Sequence, residues 1–169
     1  MEEKTIDNID LCLLEALQTD ASLTNQALAA RCGVSPATAL RRVRALQASG
    51  LIERQVAVLQ PERLAQLVGH GLTALVEISL DRQGEEHLDA FERLAVAEAA
   101  VQQCYRVSPG PDFVLVLAVT DMPAYHALAQ RLFTQHANVR NVRAFFSVKR
   151  AKFHPAQPLP RAKPHQGSA

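Results

Sequence analysis

The stretch TNQALAARCGVSPATALRRVRALQASG, residues 24–50, decides the fold of the first third of the chain. Thr24 is a favourable residue for starting a helix, and Ser35 followed by Pro36 is a common opening for a second helix. Gly33 lies between the two helices, where the chain has to turn. Two helices joined by a short glycine-containing turn are the pattern of a helix-turn-helix motif.

A further helix and a candidate wing flank this motif. Apolar residues recur at helical spacing from Ile6 to Leu17, and Asp7 is the expected N-cap of that helix. After the motif, residues 51–59 alternate enough to predict a strand or short wing, which Pro61 ends. The first sixty residues are therefore expected to form a (winged) helix-turn-helix domain.

The second helix of the motif, residues 36–48, carries arginines on one face. With Arg41 at the centre of that face, the residues within about 60° of it are small or basic, whereas the opposite side is apolar. Small residues let a helix approach the DNA major groove closely, and an arginine can bridge guanine O6 and N7. We therefore expect Arg41 to read bases, and Arg42 and Arg44 to contact phosphates. The predicted DNA-binding residues are Ser35, Ala37, Thr38, Arg41, Arg42 and Arg44.

Charge is distributed unevenly along the chain, although the net charge of the 169 residues is only +1. The net charge is −1 over residues 1–60, −6 over residues 61–121 and +8 over residues 122–169. No acidic residue lies between Asp20 and Glu53, where four of the arginines are found. Arginines on a helix face are by themselves better explained as a solvated surface. Together with the helix caps and the turn, however, this asymmetry favours a nucleic-acid-binding surface.

The overall composition, with 48% hydrophobic and 21% charged residues, is that of a soluble globular protein. The longest apolar run, residues 113–119, is too short to span a membrane, and the polar first ten residues predict no secretory signal. The three cysteines, Cys12, Cys32 and Cys104, contain no CxxC pair. An odd number of cysteines without such a pair favours reduced, buried thiols in a cytoplasmic protein over disulfides or a zinc finger.

The second half of the chain alternates between strand and helix patterns. Strands are predicted over residues 72–80, 101–108, 113–120 and 141–149, and helices over residues 85–99 and 121–135. The order β-α-β-β-α-β is that of the ferredoxin-like fold, an antiparallel sheet with helices on one face. Because residues 113–119 are apolar at both strand parities, we expect the other face to be buried as well, as in a dimer. The fold class is therefore α+β.

Three stretches of the chain resemble the Lrp/AsnC, or feast/famine, family of transcriptional regulators. They are DNIDLCLLEALQTDASLTNQALAARCGVSPATALRRVRALQASGLI (residues 7–52), VQQCYRVSPGPDFVL (residues 101–115) and VTDMPAY (residues 119–125). The resemblance covers about residues 5–153 and follows the family's domain order. It implies a sequence-specific, double-stranded DNA-binding transcriptional regulator in the cytoplasm, associated with the nucleoid.

The resemblance also implies assembly and effector binding. Family members form dimers through their regulatory sheets and often assemble into tetramers or octamers, so a pseudo-palindromic operator is expected. A small effector, commonly an amino acid, binds between regulatory domains. The expected division of this chain is a helix-turn-helix domain over residues 1–60, a linker over residues 61–71, a ferredoxin-like effector-binding and oligomerisation domain over residues 72–153, and a disordered proline-rich, basic tail over residues 154–169.

In the Lrp/AsnC family, a characteristic loop follows the strand that carries a cysteine and an aromatic residue. The sequence of this loop is altered here. Pro109 stands at the usual glycine position and Gly110 at the usual acidic position. Since proline has no N–H and cannot adopt positive φ, the backbone donors of the loop must differ from the family pattern. The residues expected to bind an effector are Tyr105, Ser108, Gly110 and Asp112. Two roles stay open for Asp112, which either binds an ammonium group or organises the turn.

Catalysis is an alternative function, because sirohaem decarboxylases resemble this family and use the same two-domain scaffold. The intact helix caps and arginine face argue against it, and the sequence has no nucleotide-binding or hydrolase motif. It also has no HExxH motif or i,i+4 histidine pair, so we expect no enzyme activity, cofactor or metal. A third interpretation is a DNA-organising protein without an effector.

Overall fold

The computed structural model describes residues 6–69 and 71–160, which divide into two compact units. The first unit comprises the residues up to Val58 and those from Lys152 onward, and the second runs from Leu59 to Ala151. The helices are α1 (Asn8–Thr19), α2 (Asn25–Cys32), α3 (Pro36–Ala48), α4 (Pro61–Val68), α5 (Glu85–Ala97) and α6 (Met122–Ala129), the last extended by a π-helical turn (Gln130–Thr134), and the strands are β1 (Leu72–Leu80), β2 (Val101–Arg106), β3 (Phe113–Val119) and β4 (Val139–Phe146). No helix in the described ranges is both long and apolar enough to cross a lipid bilayer.

Side-chain caps begin the first three helices, as the sequence predicts. Asp7 caps α1, Thr24 caps α2 and Ser35 caps α3, each by accepting hydrogen bonds from backbone N–H groups of the first turn. Between α2 and α3, Gly33 has a φ of +66°, which a residue with a Cβ atom rarely adopts. Gly50 has a φ of +77° just after α3. The predicted helix-turn-helix motif is confirmed.

The core of the first unit is a small apolar cluster between α1, α2 and α3. Ala39, Val43 and Leu46 are buried, as the predicted apolar side of α3 requires. The other buried apolar members are Leu13, Ala16, Leu17, Leu28 and Ala29. This packing leaves the opposite, arginine-bearing face of α3 toward solvent.

Residues 51–60 form no strand, unlike the predicted strand or short wing. The alternating side chains of Val56 and Val58 are exposed, and no strand in the described part of the chain pairs with this segment. Without a partner, an alternating pattern cannot make the hydrogen bonds that define a strand. The predicted linker over residues 61–71 contains α4, which begins at Pro61 in the position that proline favours.

The C-terminal segment expected to be disordered is hydrogen-bonded to α1 in its described part. Residues 154–160 form no helix or strand. Gln157 nevertheless donates its backbone N–H to the Gln18 side-chain oxygen, and its carbonyl accepts from the Gln18 side-chain N–H, both at 2.9 Å. A glutamine side chain has both a donor and an acceptor, so it can hold a passing backbone without regular structure. Residues 161–169 of the tail lie outside the described residues.

The second unit is a four-stranded antiparallel sheet in the order β2-β3-β1-β4, which is the predicted ferredoxin-like arrangement. The side chains of one face, among them Val76 and Leu115, are buried with Phe91 of α5 and Phe133 of the π-helical turn. The predicted strand over residues 141–149 is shifted in the structure. β4 begins two residues earlier and ends three residues earlier than predicted, because the pairing of β4 with β1 sets its length.

Cys12 and Cys32 form a disulfide, so the prediction of three reduced thiols is wrong. Cys12 lies in α1 and Cys32 is the last residue of α2, and their Cα atoms are 5.8 Å apart, a separation that a disulfide can bridge. Their separation of 20 residues matches no motif, so only the packing of α1 against α2 reveals the pair. Cys104 is a free thiol that packs against the core of the sheet, and burial raises its pKa.

Candidate DNA-binding surface and effector site

The predicted base-reading residues lie on α3, whose apolar side is packed into the core. Arg41 and Arg44 are exposed, and neither forms an ion pair with another residue in the described part of the chain. Ala37 is exposed on the first turn of the same helix. The helix therefore presents a small side chain and two available guanidinium groups, and their contact with DNA stays a prediction.

Ser35 and Thr38 hold each other at the N-terminus of α3. The Ser35 hydroxyl accepts a hydrogen bond from the Thr38 backbone N–H at 3.2 Å, and the two hydroxyl oxygens lie 2.9 Å apart. Ser35 remains exposed, and Thr38 is half-buried. Capping the helix is therefore one role of Ser35, and its predicted DNA contact has to use the O–H or lone pair that the cap and Thr38 leave free.

The side chain of Arg42, a predicted phosphate contact, extends toward α1. Its Nη1 atom lies 2.7 Å from Asp7 Oδ2 and 2.9 Å from Asp10 Oδ1. The hydrogen bonds to Asp10 and Asp7 raise the pKa of Arg42, while the backbone N–H of Asp10 and the Arg42 guanidinium lower the pKa of Asp7. We therefore withdraw Arg42 from the predicted phosphate contacts, because its charge is already paired inside the unit.

The turn between β2 and β3 is held by Asp112. Its Oδ2 atom accepts a hydrogen bond from the Leu80 backbone N–H at 2.6 Å, and its own N–H donates to the Ile78 carbonyl at 2.8 Å. The Asp112 carbonyl also accepts from the Val107 N–H at 3.1 Å. These contacts attach the turn to the end of β1. Of the two roles left open for Asp112, they correspond to organising the turn.

The other predicted effector residues divide between two places. Ser108 and Gly110 lie on the exposed turn, and Gly110 has a φ of +126°, which only glycine adopts readily. Tyr105 lies instead on the face of the sheet away from the helices, where its hydroxyl donates to Gln103 Oε1 at 3.2 Å. The described part of the chain thus brings three of the four predicted residues onto one turn and leaves Tyr105 on the adjoining strand.

The face of the sheet opposite the helices is apolar at its centre. Leu75, Tyr105 and Phe145 are 43%, 52% and 47% exposed. Leu75 of β1 is paired with Val116 of β3 on one side and with Phe145 of β4 on the other, so these side chains adjoin. An apolar surface in the middle of a sheet usually marks an interface.

Sequence reasoning missed an ionic cluster on the helix-covered side of the sheet. The Arg106 guanidinium of β2 lies 2.6 Å from Asp89, 2.7 Å from Glu85 and 2.7 Å from Glu92, all three on α5. The hydrogen bonds to these three carboxylates raise the pKa of Arg106, and the bond to Asp89 contributes most. The acids are spaced four and three residues apart, a helical stripe that could have signalled a shared partner. Within residues 6–69 and 71–160, no three His, Cys, Asp or Glu side chains form a metal site.

A helix-turn-helix unit with available arginines on its second helix, joined in one chain to a ferredoxin-like unit, defines the class of two-domain DNA-binding transcriptional regulators. Residues 6–53 match the family model of winged helix-turn-helix DNA-binding domains, and residues 73–157 match that of the Lrp/AsnC ligand binding domain. The chain belongs to the Lrp/AsnC family of transcriptional regulators. It is a DNA-binding regulator with a domain for small effectors.

Individual relatives match over nearly their full length. The chain is 34% identical to an uncharacterized HTH-type transcriptional regulator of Haemophilus influenzae, over 88% of this chain and 86% of that protein. It is 32% identical to the leucine-responsive regulatory protein of Escherichia coli, over 88% of each. Its structure is similar to that of a transcriptional regulator from Neisseria meningitidis in complex with L-methionine, with a TM-score of 0.79 and 27% identity over 91% of this chain and 97% of that chain.

Proposed function

We propose that the chain binds its operator by placing α3 in the major groove, with Arg41 contacting base edges and Arg44 contacting phosphates. The observation that carries this proposal is the exposure of both guanidinium groups, while Arg42 between them is paired with Asp7 and Asp10. A guanidinium group that has no protein partner is available for a guanine edge or a phosphate oxygen. The test is operator binding by single alanine variants at the three arginines.

The regulator acts as a homodimer in which a second copy covers the apolar face of the sheet. That face also carries Glu77 and Arg143, whose charged groups are 3.3 Å apart. It therefore has one negative and one positive side chain beside its apolar centre. A two-fold interface brings a surface against itself, and a surface with both charges can be complementary to its own copy. Two-fold symmetry implies a pseudo-palindromic operator with half-sites about one or two helical turns apart.

Light scattering on the purified full chain tests this dimer. We expect Leu75→Arg to give monomers, because it places a charge in the centre of the covered face. Val96→Arg is the matched control, since Val96 is an exposed apolar residue on α5 of the same unit. A Leu75→Arg protein with the mass of the wild type would place the interface elsewhere. A mass of four or eight chains in the wild type would indicate further assembly of dimers.

The effector is an amino acid whose carboxylate binds at the turn of residues 108–112. A similar protein is named for its response to leucine, and a similar structure holds L-methionine. Gly110 carries the one backbone N–H between Pro109 and Pro111, and Ser108 adds a hydroxyl. Asp112 holds this turn in position, and Tyr105 lines the site from the adjoining strand.

Thermal shift with the twenty amino acids tests the effector site. We expect the melting temperature to rise with one or a few apolar amino acids and the rise to shrink in Ser108→Ala, which removes a donor without altering the backbone. Thr134→Ala, at an exposed position of the π-helical turn, is the matched control. Stereospecific binding that is as tight in both Ser108→Ala and Gly110→Val as in the wild type would place the site elsewhere.

The protein works as a regulator in the cytoplasm, on nucleoid DNA, and not as an enzyme. Genomic footprinting with and without amino acids separates this function from its alternatives. A limited set of sites that changes with an amino acid supports a regulator. Sites spread over the whole genome and unaffected by amino acids would support a DNA-organising protein. A purified protein with the visible absorption of a bound tetrapyrrole would support a decarboxylase.

A further inference from the structure

We propose that Cys12 and Cys32 are a reversible oxidation site through which the thiol–disulfide balance of the cell controls the helix-turn-helix unit. The pair joins α1 to the last residue of α2, with Cα atoms 5.8 Å apart. For the regulation of DNA binding, this inference rests on the proposed function. For the stability of the unit, it rests on the disulfide alone.

Both cysteines can be reached by a small thiol. Cys12 and Cys32 are only half-buried, whereas Leu13 and Leu28, on the same two helices, are almost completely buried. Exposed residues, Arg31 and Gly33, flank Cys32 on both sides. A disulfide at the edge of a core, unlike one inside it, is open to thiol–disulfide exchange.

The unit also accommodates the reduced state. The Arg31 carbonyl oxygen lies 3.8 Å from Cys12 Sγ, within the range of a hydrogen bond to sulfur. In the dithiol form, the Cys12 S–H can donate to that oxygen. The half-buried thiols then pack as small apolar side chains beside the core.

The position of the disulfide links its state to α3. Gly33, which forms the turn, follows Cys32 directly, and Ser35, two residues further on, is the N-cap of α3. The described core of the unit has eight buried apolar residues, three of them alanines, so it is small. A cross-link between α1 and α2 therefore supplies a substantial part of the stability that holds α3 in place.

The reaction is an exchange with a low-molecular-weight thiol such as glutathione. A thiolate attacks one sulfur of the pair, forms a mixed disulfide and displaces the other cysteine as a thiolate, which takes up a proton. A second thiol then releases the first cysteine, giving the protein dithiol and one low-molecular-weight disulfide. Two electrons and two protons pass to the protein, and oxidised glutathione reverses the reaction. Disulfides in reducing compartments are usually transient or redox-sensing, which fits such a site.

The test compares the full chain with Cys12→Ser/Cys32→Ser and with Cys104→Ser, in buffers of reduced or oxidised glutathione. Under denaturing conditions, we expect one titratable thiol in the oxidised wild type and three in the reduced one. The melting temperature of the first unit should fall by about 10 °C or more on reduction, because the loop that the disulfide closes is lost. Cys104→Ser should show the same fall, and the double variant should show none. Cys12→Ala/Cys32→Ala distinguishes the loss of the cross-link from an unfavourable buried hydroxyl.

Operator binding supplies the second measurement. At a temperature between the two melting points, we expect binding to be lost on reduction and to return on oxidation, in the wild type and in Cys104→Ser alike. Three thiols in the oxidised wild type, or a melting temperature that is the same in both buffers, would overturn the proposal. A redox-dependent melting temperature without operator binding in either state would instead overturn the proposed function and leave the oxidation site standing.

Discussion

Arg42 Nη1 lies 2.9 Å from Asp10 Oδ1, and this pair ties α3 to the first turn of α1. The side chain of Asp10 is 5% exposed and that of Arg42 is 22% exposed, so the pair is largely shielded from water. Its neighbours Arg41 and Arg44 are exposed on the same helix. Three arginines within four residues therefore differ in role, and substitutions should separate them.

Replacing Arg41 with alanine should weaken binding to the specific operator and relax base preference. The expected loss is about 1–3 kcal/mol, the range for a bidentate contact between arginine and guanine. The melting temperature should not change, because the Arg41 side chain is exposed. Binding to operator variants, measured by fluorescence anisotropy, checks the effect. Unchanged affinity and preference would show that α3 does not dock as proposed.

Replacing Arg42 with alanine should destabilise the first unit and affect DNA only through folding. The substitution leaves the buried carboxylate of Asp10 without its cation, at an expected cost of about 1–3 kcal/mol. Denaturant unfolding measures this loss, and operator affinity under folding conditions should stay within twofold of the wild type. A variant with wild-type stability and a large loss of affinity would restore Arg42 to the phosphate contacts.

Replacing Arg44 with alanine should weaken binding to all DNA sequences alike. A phosphate contact releases counterions, so its loss should reduce the slope of log affinity against log salt by about 1. The measurement is a salt titration with operator and with unrelated DNA of the same length. Arg63→Ala is the matched control, because Arg63 is an exposed arginine of α4 outside the motif. A selective loss at the operator would assign Arg44 to base reading instead.

Acid should destabilise the first unit partly through Asp7. The backbone N–H of Asp10 lowers the pKa of Asp7 below its ordinary value of 3.8. A carboxyl whose pKa is lower in the folded than in the unfolded state stabilises the fold above its unfolded pKa, and this contribution disappears as pH falls through the folded pKa. Asp7→Asn keeps a helix cap but does not titrate, so its melting temperature should fall less between pH 6 and pH 3 than that of the wild type.

Glu15→Gln is the control for this acid experiment, because Glu15 is an exposed carboxylate of the same helix. It should follow the wild type over the whole pH range. If Asp7→Asn loses as much stability on acidification as the wild type, the capping bond has no effect on the titration of Asp7.

Replacing Arg106 with methionine should loosen α5 from β2. Three carboxylates, Glu85, Asp89 and Glu92, would then face each other without the cation that now joins them. We expect a lower melting temperature that added salt partly restores, because salt screens like charges. Arg93→Met, at an exposed position of α5, should change the melting temperature little. A salt-independent loss in Arg106→Met would point to packing against Phe113 rather than to charge.

The candidate sites show where reasoning from the sequence ends. Helical geometry placed Arg41 on the exposed face and Val43 on the buried face, and both positions are observed. The same geometry puts Arg42 about 100° around the helix from Arg41, on the flank of the exposed face, where its side chain could turn either way. Its partner Asp10 is 32 residues away, and no local pattern connects the two. For Asp112, likewise, the contact that holds the turn is the bond to Leu80, and the two residues are also 32 apart.

The sequence by itself determined the caps of the first three helices, the glycine turns beside α3 and the β-α-β-β-α-β order from β1 to β4. These features depend on contacts within about four residues or on apolar periodicity, and both can be read along the chain. Only the tertiary structure decided that Cys12 meets Cys32, that Arg42 belongs to α1, and that residues 51–60 lack a strand partner. Each of these outcomes depends on which faces of distant segments pack together. That choice is made by the sum of many weak contacts across the core, and no single stretch of sequence records it.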